Sequence, residues 1–137
     1  MIETRPSELW SVYTLNGEVD LFIKHSTKPR NTTRGGVARS WSFVFGRDQL
    51  RQIGTSRANG GVYVALVGGS TQVKDSRRCV CLLYPDEVKQ LLDFSSPSAQ
   101  AITVKLIQGK SLRVYRRGRA TLIIPRNRLE KWEVPGS

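Results

Sequence analysis

Three charged residues on one predicted strand are the first candidates for chemistry. Glu18, Asp20 and Lys24 stand at alternate positions, so an extended segment presents them on one face together with Phe22. Two carboxylates so placed suit a Mg²⁺ ion, and an amine beside them suits a phosphate. The plainer reading is the solvated face of a hairpin. His25, the single histidine, follows directly. An imidazole there can act as a general base, but no Ser–His–acid or Cys–His pairing is readable from spacing, and a surface or packing histidine is the simpler account. Gly109-Lys110-Ser111 looks like the end of a phosphate-binding loop. Val104 stands where that loop needs glycine, and the residues after Ser111 alternate like a strand, so the segment reads as a hairpin turn.

The denser signal is basic and aromatic. Between Lys105 and Lys131 there are nine Lys or Arg and one acid, Glu130. Arg113, Tyr115 and Arg117 share one strand face, and Thr103 and Lys105 are expected beside them on the partner strand. Forked guanidinium groups match phosphate, and an aromatic ring stacks on a base or sugar. Lys110, Arg116, Arg119, Arg126 and Arg128 extend the patch. A second segment, residues 28–40, carries Lys28, Arg30, Arg34 and Arg39 with no acid, and its Pro, Gly and Thr content reads as a mobile basic loop able to close over a partner. Trp41 is a further candidate for stacking.

These groups have to be positioned by a mostly β chain. Residues 9–15 and 18–27 are strand-like around Asn16-Gly17, the pair that favours a type I′ hairpin turn. Trp41-Ser42-Phe43-Val44-Phe45 is a strand, and residues 47–53 suit a short helix with Leu50 and Ile53 inward and Gly54 as its stop. Residues 62–67 and 79–84 lack a polar face and read as central strands covered on both sides. Pro85-Asp86-Glu87 opens a second helix with Val88, Leu91 and Leu92 buried. Three strands finish the chain: 102–106, 112–117 and 120–124, the last stopped by Pro125. The expected fold is α+β: a mostly antiparallel or mixed sheet of about six to eight strands with two short helices packed on it.

The hairpin carrying Glu18, Asp20 and Lys24, the helix after it and the buried strand alongside resemble the PD-(D/E)xK nuclease fold. The likeness spans roughly Trp10 to Leu92: hairpin 10–27, strand 41–45, helix 47–53 and strand 62–67. It implies metal-dependent cleavage of nucleic acid through those three residues. The sequence departs from that pattern where Phe22 occupies the site of an acid or glutamine, and where the acids share the strand of the lysine.

With 22 basic and 11 acidic residues among 137, the formal charge is +11, a balance that attracts polyanions. One domain, 1–137, holds an ordinary core. Cys79 and Cys81, two apart in a strand, point to one face and are expected as reduced, buried thiols in a cytoplasmic protein. No apolar run reaches membrane-span length. The leading expectation is therefore a non-catalytic nucleic-acid-binding protein contacting mainly phosphates. A nuclease using Glu18, Asp20 and Lys24 is the alternative, and a subunit of a homo-oligomer or protein complex, docking through a strand edge or the Trp132 tail, is a third. No metal, cofactor, membrane or small-molecule substrate is called for.

Overall fold

The computed structural model describes residues 3–5, 10–27, 29–32, 38–69, 78–107 and 109–135. In chain order its elements are β1 (Glu3–Arg5), β2 (Trp10–Leu15), β3 (Val19–Ser26), β4 (Arg30–Thr32), β5 (Ala38–Phe45), α1 (Arg47–Gly54), β6 (Val62–Gly68), β7 (Cys79–Leu83), α2 (Pro85–Leu91), β8 (Gln100–Ile107), β9 (Leu112–Tyr115), β10 (Leu122–Ile124) and α3 (Arg128–Lys131). The fold is α+β and its strands are mostly antiparallel. They divide into two sheets, ordered β1-β2-β3-β6-β7 and β10-β9-β8-β5-β4. Among the described residues the one parallel pair is β3 with β6, reached by a crossover that builds β4, β5 and α1 on the way.

Local chemistry sets these elements. Asn16 and Gly17 adopt φ of 53° and 67°, the left-handed pair a type I′ turn requires, and this locks Leu15 opposite Val19. Gln49 accepts the Gly46 N–H at 3.2 Å to start α1. Pro85 opens α2 while Glu87 accepts the Tyr84 N–H at 2.8 Å. Leu50 and Ile53 of α1 and Val88 and Leu91 of α2, with Leu92 just beyond, are buried, matching the helical stripes read from the sequence.

One apolar core joins the sheets. Phe22, Val64, Leu66, Cys81 and Leu83 from the first sheet meet Trp41, Phe43, Ile102, Val104, Val114 and Ile124 from the second. The second sheet, more than the helices, supplies the cover that the apolar strands need. Both faces of β6 and β7 are apolar for this reason: their other side packs Ala65 and Leu82 with Leu21, Tyr63 and Trp132. β7 is nonetheless an edge strand, because being covered on two faces does not require a neighbour on each side. Trp132 lies 4.8 Å from Tyr63 between ring centroids, so the residue expected in a docking tail serves packing within the chain. Within 28–40, the described residues are the paired arms of a β4–β5 hairpin, Arg30 opposite Ser40 and Thr32 opposite Ala38; Lys28 and Arg34, with the rest of the expected loop, lie outside the described residues.

Candidate nucleic-acid interface

The outward face of the second sheet collects the residues that matter. Register places Lys105 opposite Arg113 and Thr103 opposite Tyr115. It places Ser40 opposite Lys105, Ser42 opposite Thr103, and Arg30 opposite Ser40. Arg30, Ser40, Lys105 and Arg113 therefore form a row across four strands, with Ser42, Thr103 and Tyr115 as the next row. Arg30 of the first basic segment shares this face with Lys105 and Arg113 of the second, because β4, β8 and β9 lie in one sheet. Strand spacing near 4.8 Å puts Arg30 about 10 Å from Lys105 and Lys105 about 5 Å from Arg113. The strands of this sheet contain no Asp or Glu. Like charges directly opposite on neighbouring strands destabilise a sheet, so Lys105 and Arg113 stand where packing alone would not put two cations.

A groove adjoins this face. Its volume is 540 Å³, and Ser26, Thr27, Arg30, Ser40, Ser42, Thr103 and Tyr115 line it above Trp41. Among the described lining residues, five hydroxyls, a guanidinium and a phenol offer donors and acceptors without a carboxylate. Tyr115 is 36% exposed and available to stack. Trp41 is not: it is 2% exposed, its Nε1 donates to the Gly69 carbonyl at 2.8 Å, and its ring lies so close over Gly68 that a Cβ there would sit 2.4 Å away. The indole is the floor of the groove and not the stacking platform its sequence context suggests.

Other basic candidates are diverted into structure. The Arg116 Nε donates to the Leu91 carbonyl and the Arg119 Nη1 to the Gln90 carbonyl at 3.4 Å, so both cap the C-terminal end of α2, where cations suit the helix dipole. Hydrogen bonds from the Ser95 side chain and backbone, with help from Arg119 and Arg116, hold the Asp93 carboxyl below its ordinary range. Arg128 stacks 4.1 Å from the Tyr84 ring centroid, donates to the Leu82 carbonyl at 3.2 Å and pairs with Glu87. These three arginines latch elements together. Arg39 points to the opposite side of β5 from Ser40, along with Trp41. Lys110 and Arg117 are exposed in the turns at the two ends of β9, and Arg126 is exposed after β10 near Cys79.

Asp20, Phe22 and Lys24 do share a face, as alternation predicts, but that face looks between the sheets and is not the solvated one. Asp20 accepts from Thr14 at 2.9 Å and Ser56 at 2.5 Å, tying the turn before β6 to the β2–β3 hairpin. Glu18 contributes backbone, its carbonyl accepting the Gly60 N–H at 2.7 Å. Lys24 is 7% exposed; its Nζ donates to Gln49 Oε1 at 2.7 Å and lies 5.3 and 5.2 Å from the Trp10 and Phe45 ring centroids. Among the described residues no three His, Cys, Asp or Glu cluster in a way that suits a metal ion. Partial burial and then Arg78 lower the pKa of the exposed His25. Cys79 and Cys81 are free and buried, and burial pushes both thiols up, Cys79 to about 11 with Arg126 opposing.

Sequence reasoning missed the hydroxyl lining, whose signal was the alternation of Ser40 and Ser42 within an apolar strand. It also missed Arg47 and Arg51, four apart on one helix face. Comparison with known protein families, curated proteins and solved structures finds no match to this chain. Among the described residues no helix is long and apolar enough to cross a membrane. The fold and site define an α+β protein of two packed sheets with one acid-free, cationic sheet face beside a polar groove.

Proposed function

We propose that the protein binds nucleic acid without cleaving it, through the outward face of the β4-β5-β8-β9-β10 sheet. The observation that carries this reading is the Lys105–Arg113 pair, a like-charged couple kept directly opposite on an acid-free sheet. A phosphate bridging the two turns a destabilising arrangement into a favourable one. Arg30 lengthens the row, Lys110 and Arg117 continue it at the turns, and Tyr115 supplies a ring for a base or sugar. Phosphate contacts dominate, so affinity is weakly sequence-dependent and strongly salt-dependent. Membrane binding by an amphipathic helix has little to rest on, since the face is made of strands.

The nuclease alternative draws no support from Asp20, which is occupied by two hydroxyls, and among the described residues no three metal-ligating side chains cluster beside Lys24. The test is fluorescence anisotropy with DNA and RNA oligonucleotides at low salt, followed by incubation with Mg²⁺ or Mn²⁺. Binding that weakens with salt and leaves the oligonucleotide intact is expected. Absence of binding, or binding indifferent to salt, refutes the proposal.

A further inference from the structure

A second cavity opens along the same two strands. It has a volume of 610 Å³ and is lined by Lys24 of β3, Val44 and Gly46 at the end of β5, and Arg47, Asp48, Gln49 and Arg51 of α1. The first groove uses Ser26 and Thr27 of the same β3 and Ser40, Trp41 and Ser42 of the same β5. Lys24 and Ser26 are alternate residues on one side of β3, and Ser42 and Val44 are alternate residues on one side of β5. The step from one cavity to the next is therefore two residues along each strand, about 7 Å. β4 pairs with β5 only as far as Ser40; beyond it, among the described residues, that edge of β5 has no strand beside it, and successive residues of β5 line the two cavities.

The second cavity is cationic by construction. Lys24 sits at the cavity wall, its Nζ donating to Gln49 and lying beside the Trp10 and Phe45 rings. Arg47 and Arg51, one helical turn apart and both exposed, reach the same space from α1. Asp48 is the one acid among the described lining residues, against three cations.

We infer that the ligand is single-stranded nucleic acid laid along the β5 edge, with a nucleoside in the first cavity and the adjoining phosphate in the second on Lys24, Arg47 and Arg51. The inference rests on the nucleic-acid reading of the sheet face. A duplex keeps its bases stacked and offers only their edges, whereas a recess walled by two strands admits a base only once it has left the stack. Tyr115 provides a ring for the base or sugar, and the hydroxyls of Ser26, Thr27, Ser42 and Thr103 suit the sugar and base edges.

The experiment compares a single strand of about 10 nucleotides with its own duplex by anisotropy at matched salt, using the unaltered chain, Arg47→Gln/Arg51→Gln, Lys105→Gln/Arg113→Gln and Lys24→Met. The single strand should bind at least about tenfold tighter than the duplex. Arg47→Gln/Arg51→Gln should weaken single-strand binding about tenfold and reduce the salt slope by about 1.4, with an unchanged melting temperature since both side chains are exposed. Lys24→Met should weaken it as well; should that variant fail to fold, the arginine pair still decides. Equal affinity for duplex and single strand overturns the inference. So does an Arg47→Gln/Arg51→Gln protein that binds like the unaltered one while Lys105→Gln/Arg113→Gln loses affinity, an outcome that leaves the sheet-face reading standing. If neither nucleic acid binds, both fall. Binding of an extended peptide along β5 in preference to any oligonucleotide also overturns it.

Discussion

Replacing Lys105 and Arg113 together by glutamine separates a functional charge pair from a structural one. The two are directly opposite on the outward face, and removing the repulsion should leave the protein as stable as before or more stable by about 0.2–1 kcal/mol. Binding should move the other way. Arg30, Lys105 and Arg113 on the face and Lys110 and Arg117 at the turns give five cations. With one phosphate each on a single strand, these five contribute about −3.5 to the slope of log Kobs against log salt, a weakening of roughly a hundredfold for a fourfold rise in salt. The double variant should lose about 1.4 from the size of that slope. Two exposed ion pairs at up to about 1 kcal/mol each also predict a loss of up to about thirtyfold at low salt.

The comparison that gives this meaning is Arg116→Gln/Arg119→Gln, an identical change of net charge. Those side chains cap α2 through the Leu91 and Gln90 carbonyls, so stability should drop by about 1–2 kcal/mol while the salt slope changes much less. Arg57→Gln/Arg78→Gln, exposed and on no strand of this sheet, should alter neither. The assays are anisotropy titrations across salt and urea melts of each variant. Equal slope changes in all three pairs would mean that net charge alone attracts the ligand, and the argument from register would be refuted.

Three further outcomes follow from the packing and the thiols. Gly68→Ala drives a Cβ to 2.4 Å from the Trp41 ring, which is buried and cannot retreat, so a loss of about 1–3 kcal/mol or more is expected; a urea midpoint equal to the unaltered protein's contradicts it. Arg128→Ala removes a stack, a carbonyl bond and the Glu87 pair. It should cost about 2–3 kcal/mol, with Arg128→Lys recovering only part because an ammonium lacks the planar fork. A thiol whose folded pKa is raised stabilises the fold fully below its ordinary value of 9.0 and loses that contribution as pH rises towards the folded value, about 11 for Cys79. The unfolding free energy should thus fall above pH 9 by about 1.4 kcal/mol per pH unit for each thiol, and Cys79→Ala should flatten the fall in urea melts run from pH 8 to 11.

Elements defined by local chemistry were legible in the sequence. The Asn16-Gly17 turn, both helical stripes and the face shared by Lys105 and Arg113 depend on residues close along the chain, and each stands where periodicity puts it. What alternation cannot supply is which face of a strand looks inward when both faces carry apolar residues. Asp20, Phe22 and Lys24 alternate with Val19, Leu21 and Ile23, and either set reads as the polar or the apolar side according to what covers it. Only the arrival of the second sheet, brought by the β3–β6 crossover, decides that Lys24 goes in. The same ignorance of partners hid the latch residues. Arg113 and Arg116 are three apart in one basic run, and composition treats them alike; the α2 carbonyl that claims Arg116 belongs to Leu91, 25 positions earlier.

That division explains why the charge of this protein is more informative after folding than before it. Of the basic run from 105 to 131, Arg116, Arg119 and Arg128 have protein acceptors that account for their positions. For these, stability is sufficient reason. Lys105 and Arg113 have the reverse balance, since their placement opposite each other costs stability and no carboxylate stands on any strand of their sheet to offset it. Solubility does not require such a face either, because acids serve it at least as well. A polyanion is the partner class whose binding would reverse the sign of that cost, and the open edge of β5, running from the row of cations to Lys24, is the path along which it would lie.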